Sequence, residues 1–330
     1  MKRELVERAR ALGFDKARVA AADAVEHAGF YRDWLKLGYA GEMEYLAASA
    51  AKRLDVDRFL PGARSVVVVA MNYWTGEPAR GGVSCYAWGR PYQELMMARL
   101  EELKAFVNSR GAKARITVDT GAVLEKRWAA AAGVGWTGKH SLQLDAELGS
   151  WFYLGVLVTD AELEPDAQAA DLCGACTACI DACPTGAIVE PYVVDSRKCI
   201  SYLTIEKRGA IDDGLKAEMG NWVFGCDVCQ QVCPVNAKAP RTSEPAFRPV
   251  EGLEAPDPVA LLRAREGAFR STGVSRAKRA GLARNAAIAL GNAGSAKAIP
   301  PLREALKDRD AGVRDAAAWA LRRLGGSTQG

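Results

Sequence analysis

The sequence predicts an α/β domain, then a cysteine-rich module, then an α-helical repeat tail. Short β-branched runs alternate with helical patterns as far as about residue 165. Eight of the nine cysteines lie between residues 173 and 233. Near the end, an alanine-rich motif recurs after 30 residues. We therefore expect domains at residues 1–165, 166–240 and 250–325.

The elements of the first domain follow from apolar spacing and turn residues. Residues 1 to about 60 have apolar side chains at helical intervals, which predicts helices. Buried strands are predicted where β-branched runs are too short for helices, at residues 65–71, 114–118 and 150–158. Helices are predicted over residues 94–108 and 124–132, each followed by a glycine.

The cysteines fall into two runs with a diagnostic spacing. The first is Cys173-x2-Cys176-x2-Cys179-x3-Cys183-Pro, and the second is Cys199, then Cys226-x2-Cys229-x3-Cys233-Pro. In two-cluster ferredoxins the last cysteine of such a run ligates the other cluster. The spacing therefore predicts one [4Fe–4S] cluster on Cys173, Cys176, Cys179 and Cys233, and a second on Cys183, Cys199, Cys226 and Cys229. The long insertion between Cys199 and Cys226 departs from a plain ferredoxin.

The cysteines have two alternative roles, disulfide bonding and zinc binding. Disulfides are disfavoured, because the start of the chain has an amphipathic helical pattern instead of a secretory signal. A pair of zinc sites with four cysteines each remains the alternative. No apolar run is long enough to span a membrane, and we expect a cytoplasmic protein.

The tail is basic and repetitive. Residues 237–330 contain 17 Lys or Arg against 9 Asp or Glu, in a chain whose net charge is +4. The motif Arg284-Asn285-Ala-Ala recurs as Arg314-Asp315-Ala-Ala, a period typical of HEAT-type helix pairs. Two copies are too few for a free solenoid, so the tail should pack on the rest of the chain. The basic excess favours a polyanion-binding face; a stabilising cap with a solvated surface is the alternative.

Two segments of the first domain carry candidate chemistry. Asp119 follows the strand predicted at residues 114–118, at the end where α/β folds place ligands. A helix cap is the alternative role for this carboxylate. Residues 133–141 form a glycine-rich loop that can approach a flat or anionic ligand closely, and the loop is not a P-loop.

These motifs together closely resemble the epoxyqueuosine reductase family over nearly the whole chain. The resemblance rests on PGARS (61–65), VDTGAVLEK (118–126), AGVGWTGKHS (132–141), GSWFYLG (149–155), CISYLTIEKRG (199–209), GCDVCQQVCPVN (225–236) and the HEAT-like tail. It implies a cobalamin-dependent enzyme with two [4Fe–4S] clusters, which reduces the epoxide of epoxyqueuosine in tRNA to an alkene in the last step of queuosine synthesis. Corrinoid reductive dehalogenases are relatives with a similar core, so the α/β domain is expected to bind the corrinoid.

The resemblance also implies roles for individual residues. Asp119 matches the proton donor. Cobalamin contacts are expected at Arg53, Tyr86, Gly138, Lys139, His140, Ser141 and Asp227. The chain has only two histidines, His27 and His140, so we expect cobalt without a histidine ligand. The anticodon stem-loop of tRNA with a GUN anticodon should bind the tail, with Arg284 and Asn285 on its phosphates. We further expect an external low-potential electron donor and a monomeric protein.

Four positions depart from the family pattern: Cys85, Pro91, Gln93 and Val235. Cys85 is predicted to be a free buried thiol. Two other functions were considered, a corrinoid reductase of a small molecule, like a dehalogenase, and a ferredoxin-type electron carrier. The basic tail argues against the first, and the large α/β domain argues against the second.

Overall fold

A computed structural model describes residues 1–22 and 28–326, so His27 lies outside the described residues. The helices are α1 (Lys2–Ala11), α2 (Ala28–Lys36), α3 (Glu44–Ala48), α4 (Ala50–Arg53), α5 (Tyr92–Ser109), α6 (Glu125–Ala131), α7 (Ala178–Asp181), α8 (Ile200–Ile205), α9 (Asp213–Glu218), α10 (Val228–Gln231), α11 (Pro258–Leu262), α12 (Lys278–Ala293), α13 (Ile299–Ala305) and α14 (Ala311–Arg323). The strands are β1 (Lys16–Ala21), β2 (Ser65–Asn72), β3 (Gly82–Val83), β4 (Ala114–Thr117), β5 (Trp136–Thr137), β6 (Gln143–Leu144), β7 (Phe152–Thr159), β8 (Ile188–Glu190), β9 (Val193–Val194) and β10 (Trp222–Phe224).

The main sheet has the strand order β1-β2-β7-β4 and helices on both faces. Alternate residues of β2 supply two separate cores: Val67 and Val69 pack toward α1 and α5, and Val66 and Val68 pack toward α6. The three predicted strands and the two predicted helices are therefore present. Every strand pairing in this sheet is antiparallel. Strands that alternate with helices along a chain more often form a parallel sheet. A fully apolar strand signals burial on both faces, but it does not encode direction.

Strand β1 lies within the region predicted to be helical. It pairs with β2 from Lys16↔Ala70 to Ala21↔Ser65 and forms one edge of the sheet. Charged Lys16 and Arg18 interrupt its apolar pattern, as is common in edge strands, which protect themselves from unwanted pairing in this way. Because of these charged residues, β1 has no continuous apolar run, and the sequence pattern did not predict it as a strand.

The cysteine-rich module is joined to the first domain by backbone pairing. Strand β10 runs parallel to β3, and the proline-containing segment that follows the module also lies along the first domain. In that segment Thr242 N donates to Trp74 O at 2.6 Å, and Arg90 N donates to Ala246 O at 2.9 Å. One hydrophobic core continues through the first domain, the module and the tail. The predicted boundaries at 165 and 240 remain predictions.

In the tail, α12 packs on α14, and α13 connects them. The helices approach closely at Gly291, where a Cβ would lie 2.9 Å from the Cα of Ala320. Helix α12 also contacts α8, α9 and β10 of the module, as expected for a repeat pair that cannot stand alone. Within the described part of the chain, no helix has the length and apolar character needed to cross a membrane.

Candidate active site and cluster module

The first cysteine set surrounds a cavity. A small cavity is lined by Cys173, Cys176, Cys179 and Cys233, with Val235 at its wall. Burial raises the pKa of Cys179, and the largest contribution from another thiol comes from Cys233, which is distant in sequence. The fourth cysteine of the second run therefore lies with the first three of the first run, which supports the crossed assignment.

The second set is assembled in the same crossed way. Burial raises the pKa of Cys226 to about 12, and the neighbouring Cys199 and Cys183 also raise it. Burial raises the pKa of Cys229 well above its ordinary value, and Cys199 and Cys183 raise it further. All nine cysteines are free, including buried Cys85, as predicted. Among the described residues, no group of three or more His, Cys, Asp or Glu side chains is arranged to hold a single metal ion.

His140 provides a further test of whether the first set suits a cluster. Its Nδ1 accepts a hydrogen bond from Leu142 N at 3.1 Å, while its buried Nε2 has no partner. Burial lowers the pKa of His140 to about 4, so the ring is neutral at pH 7 and Nε2 carries the proton. His140 lines the cavity of the first set. An unpaired buried N–H beside four thiols fits a sulfur-rich group that accepts hydrogen bonds.

A cleft of about 870 Å³, open to solvent, contains Asp119. Its aromatic walls are Tyr45, Tyr86, Tyr92 and Phe224, and the departures Pro91 and Gln93 also line it. Phe224 brings the second cysteine set close, because β10 ends there, two residues before Cys226. The cleft is therefore next to the second set, and the cavity of the first set is separate.

Asp119 occupies a sharp turn after β4. Its φ of 61° lies in the left-handed region, which Asp tolerates better than most residues. Its backbone N–H donates to Glu125 Oε1 at 2.6 Å, and its carboxylate accepts from Gln93 Nε2 at 3.1 Å. The turn thus directs the carboxylate into the cleft while α6 anchors its backbone.

Arg276, Glu206 and Tyr45 complete the surroundings of this carboxylate. Arg276 Nη1 lies 3.5 Å from Asp119 Oδ2, its Nε lies 2.6 Å from Glu206 Oε1, and its Nη2 donates to the Tyr45 hydroxyl at 3.1 Å. None of these three residues is predicted as a site residue from the sequence. No local spacing signals them, because they come from three different parts of the chain.

Glu125 and Lys126 lead from Asp119 toward the glycine-rich loop. Burial raises the pKa of Glu125 to about 8, although Asp119 N–H donates to it. Burial lowers the pKa of Lys126, whose Nζ donates to Ser141 O at 2.8 Å. Lys126 nevertheless remains accessible to solvent.

Two residues of the glycine-rich loop are placed differently from the prediction. Lys139 Nζ donates to Gly174 O at 2.7 Å and to Cys176 O at 2.9 Å, and Lys139 and His140 both line the cavity of the first set. Their side chains therefore support the first cysteine run, and their roles as cobalamin contacts stay predictions. Gly138 and Ser141 remain predicted cobalamin contacts.

Arg53 and Asp227 are held by hydrogen bonds within the protein. Arg53 is buried and donates to Ser49 Oγ at 2.8 Å and to Val123 O at 3.3 Å. Asp227 is fully buried, and its two oxygens accept from Ser84 Oγ, Cys85 N and Gln230 Nε2. Both side chains thus hold the backbone around the cleft, and their contacts with a cofactor stay predictions. Tyr86, in contrast, lines the cleft as predicted.

Arg284 and Asn285 do not face solvent, so the prediction that they contact phosphates is wrong. Arg284 is 2% exposed and donates to Leu203 O, Lys207 O and Gly209 O; Asn285 is 0% exposed and donates to Thr204 O and Val223 O. Both side chains fasten α12 to the cluster module. The repeated motif is thus a docking signature, since Asp315 of the second copy accepts from Lys216 of α9 at 2.5 Å.

Comparison with known proteins assigns the family. The family model described as "Epoxyqueuosine reductase QueG, DUF1730" matches residues 53–120, and a 4Fe-4S double cluster binding domain matches residues 172–236. HEAT repeats match residues 274–329. The epoxyqueuosine reductase of Escherichia coli is 40% identical over 94% of this chain and 86% of its own length. That of Pseudomonas aeruginosa is 42% identical over 96% of this chain and 92% of its own. The chain belongs to the epoxyqueuosine reductase family.

Solved structures of epoxyqueuosine reductases have the same fold. One in complex with an epoxyqueuosine-modified tRNA-Tyr stem loop matches with a TM-score of 0.92 and 32% identity, covering 98% of this chain and 90% of its own. One from Bacillus subtilis, described with its catalytic aspartate loop swung out of the active site, matches with a TM-score of 0.88 and 30% identity over the same shares. A catabolic reductive dehalogenase matches with a TM-score of only 0.38 and 16% identity, covering 70% of this chain and 34% of its own. This similarity is too low to assign a shared property. The corrinoid-binding character of the first domain therefore stays a prediction.

Proposed function

We propose that this chain reduces the epoxide of epoxyqueuosine at the wobble position of tRNA to the alkene of queuosine. The reaction takes two electrons and two protons and releases the oxygen as water. The observation that carries the proposal is the location of Asp119, in an open cleft whose wall includes Phe224, two residues before Cys226 of the second cysteine set. A proton source and an electron route thus meet at one place.

Cobalamin is the proposed cofactor of the cleft. Its flat macrocycle suits aromatic walls, and it supplies a low-potential cobalt centre that amino acids cannot provide. The residues that would hold it include Tyr86, with Gly138 and Ser141 of the glycine-rich loop. His140 lines the cavity of the first set, and binding without a cobalt–histidine bond stays a prediction.

Asp119 is the proposed proton donor to the departing oxygen. General acid catalysis requires a carboxyl group within hydrogen-bonding reach of that oxygen, and the left-handed turn presents this side chain to the cleft. Gln93 orients the carboxylate through its 3.1 Å hydrogen bond. The Bacillus subtilis relative, whose catalytic aspartate loop is described as swung out, supports a turn that can move.

The two cysteine sets provide the route for single electrons. Cys176 is exposed, so the first set is the proposed point at which an external low-potential donor delivers electrons. The second set lies beside the cleft and would pass them on. The proposed ligands are those of the crossed assignment, Cys173, Cys176, Cys179 and Cys233 for the first cluster, and Cys183, Cys199, Cys226 and Cys229 for the second.

The proposed RNA surface is the rim of the cleft. The tRNA stem loop bound by a relative supports an anticodon stem-loop as substrate here, with its wobble base turned out of the stack into the cleft. Arg90, at the edge of the cleft, and Arg270 and Lys278, nearby in sequence to Arg276, are exposed. These cations replace buried Arg284 and Asn285 as candidates for phosphate contacts.

Anaerobic purification followed by metal analysis and RNA binding tests the proposal. We expect about eight iron atoms and one cobalt per chain after reconstitution, because each four-cysteine set holds a four-iron cluster. A GUN anticodon stem-loop should bind more tightly than one with another anticodon. Stoichiometric zinc, iron for one cluster only, or failure to retain cobalamin would contradict the cofactor assignment.

A further inference from the structure

His140 lies in the turn of a tight hairpin beside the first cysteine set. Strands β5 and β6 pair on either side of this turn, and Gly138 N donates to Leu142 O across it at 2.8 Å. Gly138 also leaves room for the imidazole, since a Cβ at this position would lie 2.9 Å from the Cε1 of His140. The hairpin therefore holds the ring in a defined place at the wall of the cavity.

The surroundings of His140 determine which ring nitrogen carries the proton. Leu142 N donates to Nδ1 at 3.1 Å, so Nδ1 accepts and has no proton of its own. The proton of the imidazole is then on Nε2, which is buried and has no hydrogen-bond partner in the protein. Because His140 is only 4% exposed, this N–H needs an acceptor in the interior.

The cavity of the first set is where that acceptor belongs. Besides the four cysteines, two of the described residues that line the cavity have polar side chains, Lys139 and His140. Lys139 Nζ is engaged by two backbone carbonyls, Gly174 O at 2.7 Å and Cys176 O at 2.9 Å. The Nε2–H of His140 is therefore the donor left for a group bound inside the cavity.

We propose that His140 donates a hydrogen bond from Nε2 to a sulfur of the first cluster and thereby raises the reduction potential of that cluster. Hydrogen bonds to the sulfurs are among the factors that set the potential of iron–sulfur clusters. An N–H donor stabilises the reduced form more than the oxidised form, because the added electron makes the sulfurs more negative. The cluster gains one electron from the external low-potential donor; no bond breaks and no proton moves.

The place of His140 suits a cluster that receives electrons from outside. Cys176 of the same set is exposed, and the role of this set as the point of entry rests on the proposed function. A single charge-assisted hydrogen bond changes such an equilibrium by about tenfold, which equals about 59 mV for one electron. His140 would thus increase the fraction of the first cluster that a given donor keeps reduced.

A redox titration of the reconstituted protein, followed by EPR, measures this effect without turnover. His140→Phe retains a ring but has no N–H, and the potential of the first cluster should fall by about 59 mV, or tenfold in the equilibrium. His140→Asn retains an acceptor for Leu142 N but is too short to reach the place of Nε2, so the potential should fall by a similar amount. The second cluster in the same sample should keep its potential.

Trp136→Phe is the matched control. Trp136 belongs to the same hairpin and is buried, and its Nε1 also has no partner, but it is not among the described residues that line the cavity. Its replacement removes a buried N–H close by and should leave the potential of the first cluster unchanged. An equal fall in Trp136→Phe would overturn the inference, because packing of the hairpin would then explain the effect.

Nitrogen hyperfine coupling is a second test, which the wild type itself provides. The chain has only two histidines, so labelling with ¹⁵N-histidine marks few nitrogens. We expect a ¹⁵N coupling in the EPR signal of the reduced first cluster, kept in His27→Gln and lost in His140→Phe. The signal is assigned by its absence from Cys176→Ser.

The absence of this coupling in the wild type overturns the inference, as does an unchanged potential in His140→Phe or in His140→Asn. Failure of the wild-type first set to hold a four-iron cluster would instead overturn the cluster assignment of the proposed function.

Discussion

Arg284→Ala should destabilise the protein markedly. The guanidinium donates to three backbone carbonyls, Leu203 O at 2.6 Å, Lys207 O at 2.9 Å and Gly209 O at 2.9 Å. Burial lowers the pKa of Arg284 to about 10, so the group is still charged at pH 7 and its donors are engaged. At about 1 kcal/mol for each carbonyl left without a donor, the free energy of unfolding falls by about 3 kcal/mol. Taking about 2 °C per kcal/mol for a chain of this size, Tm falls by about 6 °C.

Arg314→Ala is the control for this prediction, because Arg314 occupies the matching position of the second repeat. It is exposed and donates only to the nearby carbonyls of Asp308 and Arg309. Surface substitutions of this kind usually change stability by about 0.5 kcal/mol or less. Thermal unfolding is followed by circular dichroism under anaerobic conditions. Equal Tm changes in both variants would refute the docking role. If Arg284→Ala had normal stability but lost RNA affinity, the result would support a contact between Arg284 and an RNA phosphate.

Three further predictions test the site. Cys183→Ser should remove the paramagnetic signal of the second cluster, because Cys183 lies with the second set; loss of only the first signal would disprove the crossing. Asp119→Asn should retain iron and cobalamin but slow single turnover by about 10²–10⁴-fold, since the amide has no acidic proton; an unchanged rate removes Asp119 from the mechanism. The pKa of Glu125 rises from 4.5 to about 8 on folding, so its contribution to stability falls as pH rises through that range. The stability of Glu125→Gln relative to wild type should therefore increase with pH in urea unfolding of the cofactor-free protein, and a difference independent of pH would count against this.

The sequence was most informative where the chemistry is local. Ligand spacing determined which cysteines belong together, including the crossing of Cys183 and Cys233. The β-branched runs located the central strands, and the end of one of them located Asp119 in the cleft. The direction of the strands was not predictable, since burial on both faces is compatible with either pairing.

Contacts between distant segments could not be predicted. Arg276 reaches Asp119 only because the tail folds back over the cleft, and no spacing in the sequence reports that approach. The repeat of Arg284 and Asn285 was recognised correctly, but a repeated polar pair does not say whether it faces solvent or a neighbouring module. The basic composition of the tail predicted that Arg284 would bind RNA. Its actual partners are buried backbone carbonyls of α8 and of the loop that follows α8.

The central claim is that this chain removes the epoxide oxygen from tRNA with the help of cobalamin. The most direct measurement is the mass of an epoxyqueuosine-containing stem-loop after a single turnover with the reduced, cluster-loaded enzyme. We predict the loss of one oxygen atom when cobalamin is bound, and an unchanged mass when cobalamin is omitted. An unchanged mass with both clusters and cobalamin in place, or full conversion without cobalamin, would contradict the account.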